Sequence, residues 1–228
     1  MITRFRTLAG DHGVPPFYPD SDIRDWLNEA EREAAERARL LTDTTTIAVV
    51  RIPLEVGQRE YFLHPKVFDV EAVSLQRDTG DRRYPVLRAS QADIEWSVNN
   101  RPNLSGWGDN FTVYGEANGA GTRGKRIIID RKPDKPDGFL WVSAVRYPLV
   151  DMEDGDDEPE ISPRHHDGLV DWALHRAYST RDMEFGADRR AAAHEAKFIE
   201  RFGQRADANV MRKQVRHRAP RVRPIRLG

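Results

Sequence analysis

Between Asp20 and Leu41 the apolar residues recur at steps of three and four: Ile23, Trp26, Leu27, Ala30, Ala34, Ala38 and Leu41. That spacing places them on one narrow stripe of a 3.6-residue helix. Between them sit the charged residues Arg24, Glu29, Arg32, Glu33, Glu36, Arg37 and Arg39. Glu33 and Arg37 form an i,i+4 pair with the acid nearer the N-terminus, which is the favourable order. Asp20 or Ser21 is placed to cap the start, and Asp22 and Asp25 fall where the helix dipole favours acids. Past Leu27 the stripe is mostly alanine, and small side chains let a second helix approach closely. The helix therefore predicts a helical partner, and comparable patterns occur only after residue 162.

There, Ser162 followed by Pro163 is an N-cap with proline at the first helical position. Leu169, Val170, Ala173, Ala177 and Tyr178 make the stripe, and Gly186 is placed to end it. Ala187 to Phe202 is the next predicted helix, with Ala191, Glu195, Phe198 and Phe202 at helical spacing. The short connection predicts an antiparallel hairpin. The expected bundle core is Ile23, Trp26, Leu27, Ala30, Ala34, Leu169, Ala173, Phe198 and Phe202.

Before the first long helix, Ile2 to Leu8 predicts a short one. Gly10, Gly13, Pro15, Pro16 and Pro19 then force irregular backbone, and Phe17 and Tyr18 are placed to staple the start of the long helix. The middle of the chain changes period. Thr44–Ile52, Tyr84–Arg88, Phe111–Tyr114, Arg126–Asp130 and Phe139–Arg146 read as strands, Val67–Leu75 as a turn leading into another, and Ser90–Val98 as one or two helical turns, while Gly57 marks a turn before Tyr61–Leu63. Their turn signals predict an antiparallel meander of about six strands. The expected class is α+β: a helical bundle from the chain ends, an inserted antiparallel β-rich region and an extended C-terminal arm. The divisions fall at residues 1–43, 44–150, 151–215 and 216–228.

Composition sharpens this. Hydrophobic residues make up 39% and charged residues 32% of the 228, which suits a subunit that completes its burial against neighbours. The net charge of −1 gives no overall attraction to nucleic acid, but the charges are segregated. Asp151, Glu153, Asp154, Asp156, Asp157, Glu158 and Glu160 form an acidic run, read as a solvated linker. No acid follows Asp207, and the tail carries Arg212, Lys213, Arg216, Arg218, Arg221, Arg223 and Arg226. Arg221, Val222, Arg223, Ile225, Arg226 and Leu227 alternate basic with aliphatic residues. That pattern predicts an arm docking on a protein partner, with the aliphatics filling pockets, more than one binding phosphates. Cysteine is absent, which excludes disulfides and thiolate chemistry. No apolar run is long enough to span a bilayer, and no signal-peptide order opens the chain, so a cytoplasmic origin is expected.

Catalytic, cofactor and metal sites are not expected. Gly119 to Gly124 matches G-x-G-x-x-G, but that motif needs a following helix, and Ile127–Ile129 reads as a strand. Arg126 stands where a phosphate-binding loop needs Ser or Thr, so a glycine-rich hairpin loop is expected. His165 and His166, being adjacent on a helix, point about 100° apart and do not converge on one metal; one half-buried and one exposed imidazole is the expectation. His64 has no evident partner. The acidic run lacks the order of a calcium loop. It suits the wall of a channel along which DNA slides, because acids repel phosphate.

Trp26-Leu27-Asn28-Glu29-Ala30-Glu31-Arg32-Glu33 on the first long helix, the Gly57–Pro65 stretch, the β-rich middle, Pro159-Glu160-Ile161, and a closing helix pair bearing His166, Leu169, Ala173 and Tyr178 together resemble the head-to-tail adaptor (connector) proteins of tailed bacteriophages. His64 and the glycine-rich loop depart from that pattern. The resemblance implies a homo-dodecameric ring beneath the portal protein, with an arm reaching the portal or a neighbour. It also implies a lumen passing double-stranded DNA without sequence readout, and a tail or nozzle protein on the far side. The implied place is the virion neck, assembled in the host cytoplasm with no membrane contact. Rival readings are a tail terminator or other tail ring, a nucleotide-binding enzyme using Gly119–Lys125, and a DNA-binding regulator using the arm.

Overall fold

The computed structural model describes residues 1–78, 80, 82–89, 91–101, 103, 105, 113–118, 125–136, 138–180 and 186–205, with only the backbone described at 91, 92, 95 and 113–118. The chain is a mixture of helix and sheet, and it divides into two compact units. The first is built from Met1–Leu41 and Arg146–Arg205, and the second from Thr42–Val145.

The first unit holds α1 (Ile2–Ala9), α2 (Asp20–Ala38), α5 (His166–Ser179) and α6 (Ala187–Phe202). Gly10 ends α1 at φ 70°, a left-handed conformation that glycine adopts without a Cβ penalty. Arg6 then ties the irregular stretch together, donating to Asp11 Oδ2 at 2.6 Å and to the Tyr18 carbonyl at 2.9 Å. Of the Phe17–Tyr18 pair, Tyr18 is buried against Phe5 and Trp26, whereas Phe17 is 58% exposed. One buried cluster contains Ile23, Leu27, Ala30 and Ala34 of α2, Leu169 and Ala173 of α5, and Phe198 and Phe202 of α6, with Trp26 packed against it half-buried.

Three details of these helices differ from the sequence expectation. Neither Asp20 nor Ser21 caps α2: Pro19 holds the N-cap position, and the Asp20 carboxylate pairs with Arg6. The helix stops at Ala38 because Arg39 turns to φ 52°, so Leu40 and Leu41 lie beyond it. Gly186 does not end α5, which stops at Ser179; its φ of 100° makes it the residue that opens α6.

Among the described residues, the second unit is an eight-stranded sheet in the order β1-β8-β4-β5-β6-β7-β3, with β2 also on β8. The strands are β1 (Thr42–Asp43), β2 (Arg51–Pro53), β3 (Glu60–Phe62), β4 (Val67–Gln76), β5 (Arg83–Arg88), β6 (Val113–Asn118), β7 (Lys125–Ile129) and β8 (Phe139–Arg146). Val73, Leu75, Leu140, Val142 and Ala144 point inward, alternating with less buried neighbours at the period of two that a pleated strand imposes.

The expected meander is corrected in two places. The run Thr44–Ile52 is not one strand. The Asp43 carboxylate accepts the N–H groups of Thr45 (3.0 Å) and Thr46 (2.9 Å), turning the chain into a single helical turn, α3 (Ile47–Val50), before β2 begins. A local side-chain bond thus overrides the β propensity of Thr, Ile and Val. Second, β5 and β6 run parallel, joined by the ten-residue helix α4 (Gln91–Asn100), so the sheet includes a β-α-β crossover.

Candidate interaction site

The acidic stretch 151–161 is not a free linker. Its backbone is bound to α2 by two polar side chains that occupy the helix's buried face. Asn28 Nδ2 donates to the Met152 carbonyl at 3.0 Å, and the Met152 N–H donates to Asn28 Oδ1 at 2.8 Å. One turn on, the Ile161 N–H donates to Glu31 Oε1 at 3.1 Å. Asn28 and Glu31 are 7% and 1% exposed, so the pairing satisfies groups that burial would otherwise leave costly. Burial pushes the Glu31 carboxyl above its ordinary range, further raised by the Glu160 charge, while N–H bonds from Ile161 and Glu160 and the nearby His166 pull the other way. The end of the stretch is held by Arg146, itself buried, whose guanidinium grips Glu160 with two hydrogen bonds. Arg32 pairs with Asp151 at 3.2 Å.

Between those anchors, residues 153–158 face water. Asp157 folds this loop back: its carboxylate accepts the N–H groups of Glu153 and Asp154, both at 2.8 Å. Those two bonds hold the Asp157 carboxyl below the usual range. The carboxylates of Glu153, Asp154, Asp156 and Glu158 are thereby carried outward from a backbone of defined shape.

Helices α5 and α6 lie antiparallel, as the pairings of Gly168 with Phe202, Asp171 with His194 and His175 with Ala191 show. Gly168 allows this approach, because a Cβ there would stand 2.5 Å from the Phe202 ring. Arg37 of α2 lies over the Trp172 and Phe198 rings at 4.9 and 5.1 Å and pairs with Glu33 at 2.9 Å. That pair is nearly buried rather than a surface pair, its side chains 7% and 15% exposed.

Both His165 and His166 are half-buried. His166 Nε2 bonds the Ile161 carbonyl at 3.0 Å. His165 packs against Phe202, and burial, with Arg164, Arg201 and His166 nearby, pulls its pKa down. His64 has a partner after all, its Nδ1 accepting the Lys66 N–H at 3.2 Å. Among the described residues no group of three His, Asp or Glu side chains is placed to hold a metal, and no helix is long and apolar enough to cross a membrane. Gly119–Gly124 lies outside the described residues, but Asn118 and Lys125 are opposed in the antiparallel β6–β7 ladder and Lys125 opens a strand. The arm residues Arg221, Val222, Arg223, Ile225, Arg226 and Leu227 also lie outside them.

Nothing in the spacing alone assigns an anchoring role to the polar residues Asn28, Glu31 and Arg146. A signal of burial was available for two of them: Asn28 and Glu31 follow Leu27 and Ala30 by one residue, so they flank the apolar stripe rather than oppose it.

The sequence model of the family described as SU10 adaptor protein matches residues 1–224. No curated protein matches the chain.

Proposed function

This chain belongs to the SU10 adaptor protein family, and on that premise we propose that it is a non-catalytic ring subunit joining a bacteriophage portal to its tail and forming part of the DNA channel. Membership makes it a structural adaptor of a phage particle. The match over residues 1–224 is the observation that carries the reading, since it takes in both compact units and most of the basic tail. Three features fit the finer roles. The tail is basic and interleaved with aliphatics, which suits docking on a protein surface. The outward carboxylates of residues 153–158 are exposed, which suits an acidic contact with a neighbouring copy. The high polar content suits a subunit whose remaining apolar surface is covered by identical neighbours.

The test is to mix the purified chain with its portal protein and measure the mass of the product by native mass spectrometry. A portal carrying a closed ring of this chain is the expected product, and deleting residues 216–228 should abolish it. A portal that stays bare under conditions where the chain is folded counts against the reading.

A further inference from the structure

The sheet carries an outward row of side chains that the fold itself does not explain. Arg51 is opposite Trp141 in the β2–β8 ladder, and Gln76 is opposite Arg83 in the β4–β5 ladder. Strands β8 and β4 are neighbours, and Trp141 Nε1 donates to Gln76 Oε1 at 2.7 Å, linking the two pairs into one row. The Arg83 guanidinium lies 3.5 Å from the Trp141 ring centroid, and Arg51 lies 4.8 Å from Phe139 and 5.9 Å from Trp141. Phe139 and Trp141 are two apart on one strand and share this face, while Leu140 and Val142 are buried on the other. Ser74, Ser143 and Pro85 lie along the same face. Both guanidiniums are exposed, and among the described residues neither has a carboxylate partner.

A guanidinium laid on an aromatic ring keeps its edge N–H groups free for a planar acceptor, and the ring fixes its orientation in advance. The row is thus arranged to accept carboxylates two at a time. The same chain supplies them. Glu153, Asp154, Asp156 and Glu158 sit on a loop pinned at Met152 by Asn28 and at Ile161 by Glu31, and folded by Asp157. These four carboxylates also have no partner among the described residues.

We infer that the Arg51–Trp141–Gln76–Arg83 row is the docking surface for the 153–158 loop of a second copy of this chain. The inference rests on the ring reading above, and gives that ring a contact. Because the two patches differ, the contact is heterologous, so each copy gives its loop to one neighbour and its row to the other, an arrangement that forms a ring when its rotation closes. Carboxylate is favoured over DNA phosphate on two grounds: the chain's net charge of −1 draws no polyanion toward it, and every row comes with one complementary loop at equal copy number.

The test uses two full-length variants, R51E/R83E and D154K/D156K, followed by sedimentation velocity alone and with the portal, after circular dichroism has shown each to be folded. Each variant alone should lose self-association by roughly a hundredfold or more, since like charges then face each other. A one-to-one mixture should restore assembly, because reversed rows meet reversed loops and native rows meet native loops around the ring. Wild-type association should weaken as salt rises. Equal assembly by wild type and both variants overturns this inference alone and leaves the ring reading standing, and so does loss of assembly that mixing fails to restore. Reduced duplex-DNA binding by R51E/R83E with assembly unchanged also overturns it, making the row a phosphate contact. A wild-type chain that remains monomeric at every concentration and beside the portal overturns both readings.

Discussion

Asn28 and Met152, 124 residues apart, close a two-bond ring in which the asparagine amide pairs with one peptide unit as a neighbouring strand would, donating at 3.0 Å and accepting at 2.8 Å. Because both groups are buried, neither water nor another partner replaces the bonds when the side chain is lost. Asn28→Ala should destabilise the fold by about 2–4 kcal/mol, the combined cost of an orphaned N–H and carbonyl. Asn28→Asp keeps the acceptor but turns a second oxygen toward the Met152 carbonyl, so it should rescue little. Urea unfolding of the three chains checks this, and an Ala variant within 0.5 kcal/mol of wild type, roughly the scatter of surface substitutions, would contradict it.

Gly168 and Phe202 set the distance between α5 and α6. Gly168→Ala should cost about 1–3 kcal/mol, because the added methyl must displace both the Phe202 ring and the Arg201 stem. Pairing it with Phe202→Leu should recover part of the loss, giving a coupling energy that a double-mutant cycle reads directly. Additive effects would show that the two residues do not share the strain.

Glu31 gives a pH signature of defined sign. A carboxyl whose folded pKa is raised binds its proton more tightly in the folded chain than in the unfolded one. Its contribution to stability therefore grows as pH falls from the raised value to the ordinary one, and is lost again as pH rises through that window. Glu31→Gln removes the charge that burial penalises, so the variant should gain on wild type more at about pH 7.5 than at about pH 4.5 in denaturant titrations. The opposite trend would mean that the N–H bonds from Ile161 and Glu160 outweigh desolvation.

Arg37 joins α2 to α5 and α6 through two aromatic faces and a nearly buried ion pair. Arg37→Ala removes the packing while Glu33 keeps its 3.5 Å pairing with Arg205, and should destabilise by about 1–3 kcal/mol. Replacing both Arg37 and Glu33 with methionine keeps the volume without the charges and should cost clearly less. Equal losses would show that the guanidinium charge on the Trp172 and Phe198 faces, rather than the side chain's bulk, carries the effect.

What could be read from the residues, and what could not, divides along physical lines. The α2 stripe and the bounds of α6 were legible because a 3.6-residue period is written in local order, and the strand at Lys125–Ile129 because three isoleucines in a row favour a pleated backbone. Thr44–Val50 was not legible as a helical turn, since its β-branched residues point one way and a single Asp43 carboxylate decides the other. The parallel β5–β6 pairing was hidden because strand partnership is non-local. The acidic stretch looked solvated by composition. Only the positions of Asn28 and Glu31 on the buried flank of α2, and a buried Arg146 from another element, reveal that its two ends are fastened and its middle is turned outward.

The central claim is about where this protein sits and what it joins. An averaged cryo-electron microscopy reconstruction of the neck of the intact phage particle measures that directly. The account predicts a closed ring of this chain between portal and tail, encircling the DNA path, with the segment beyond residue 216 lying on the portal or a neighbouring copy. A neck built without this chain, or the chain found on the capsid shell or the tail tip, would contradict it.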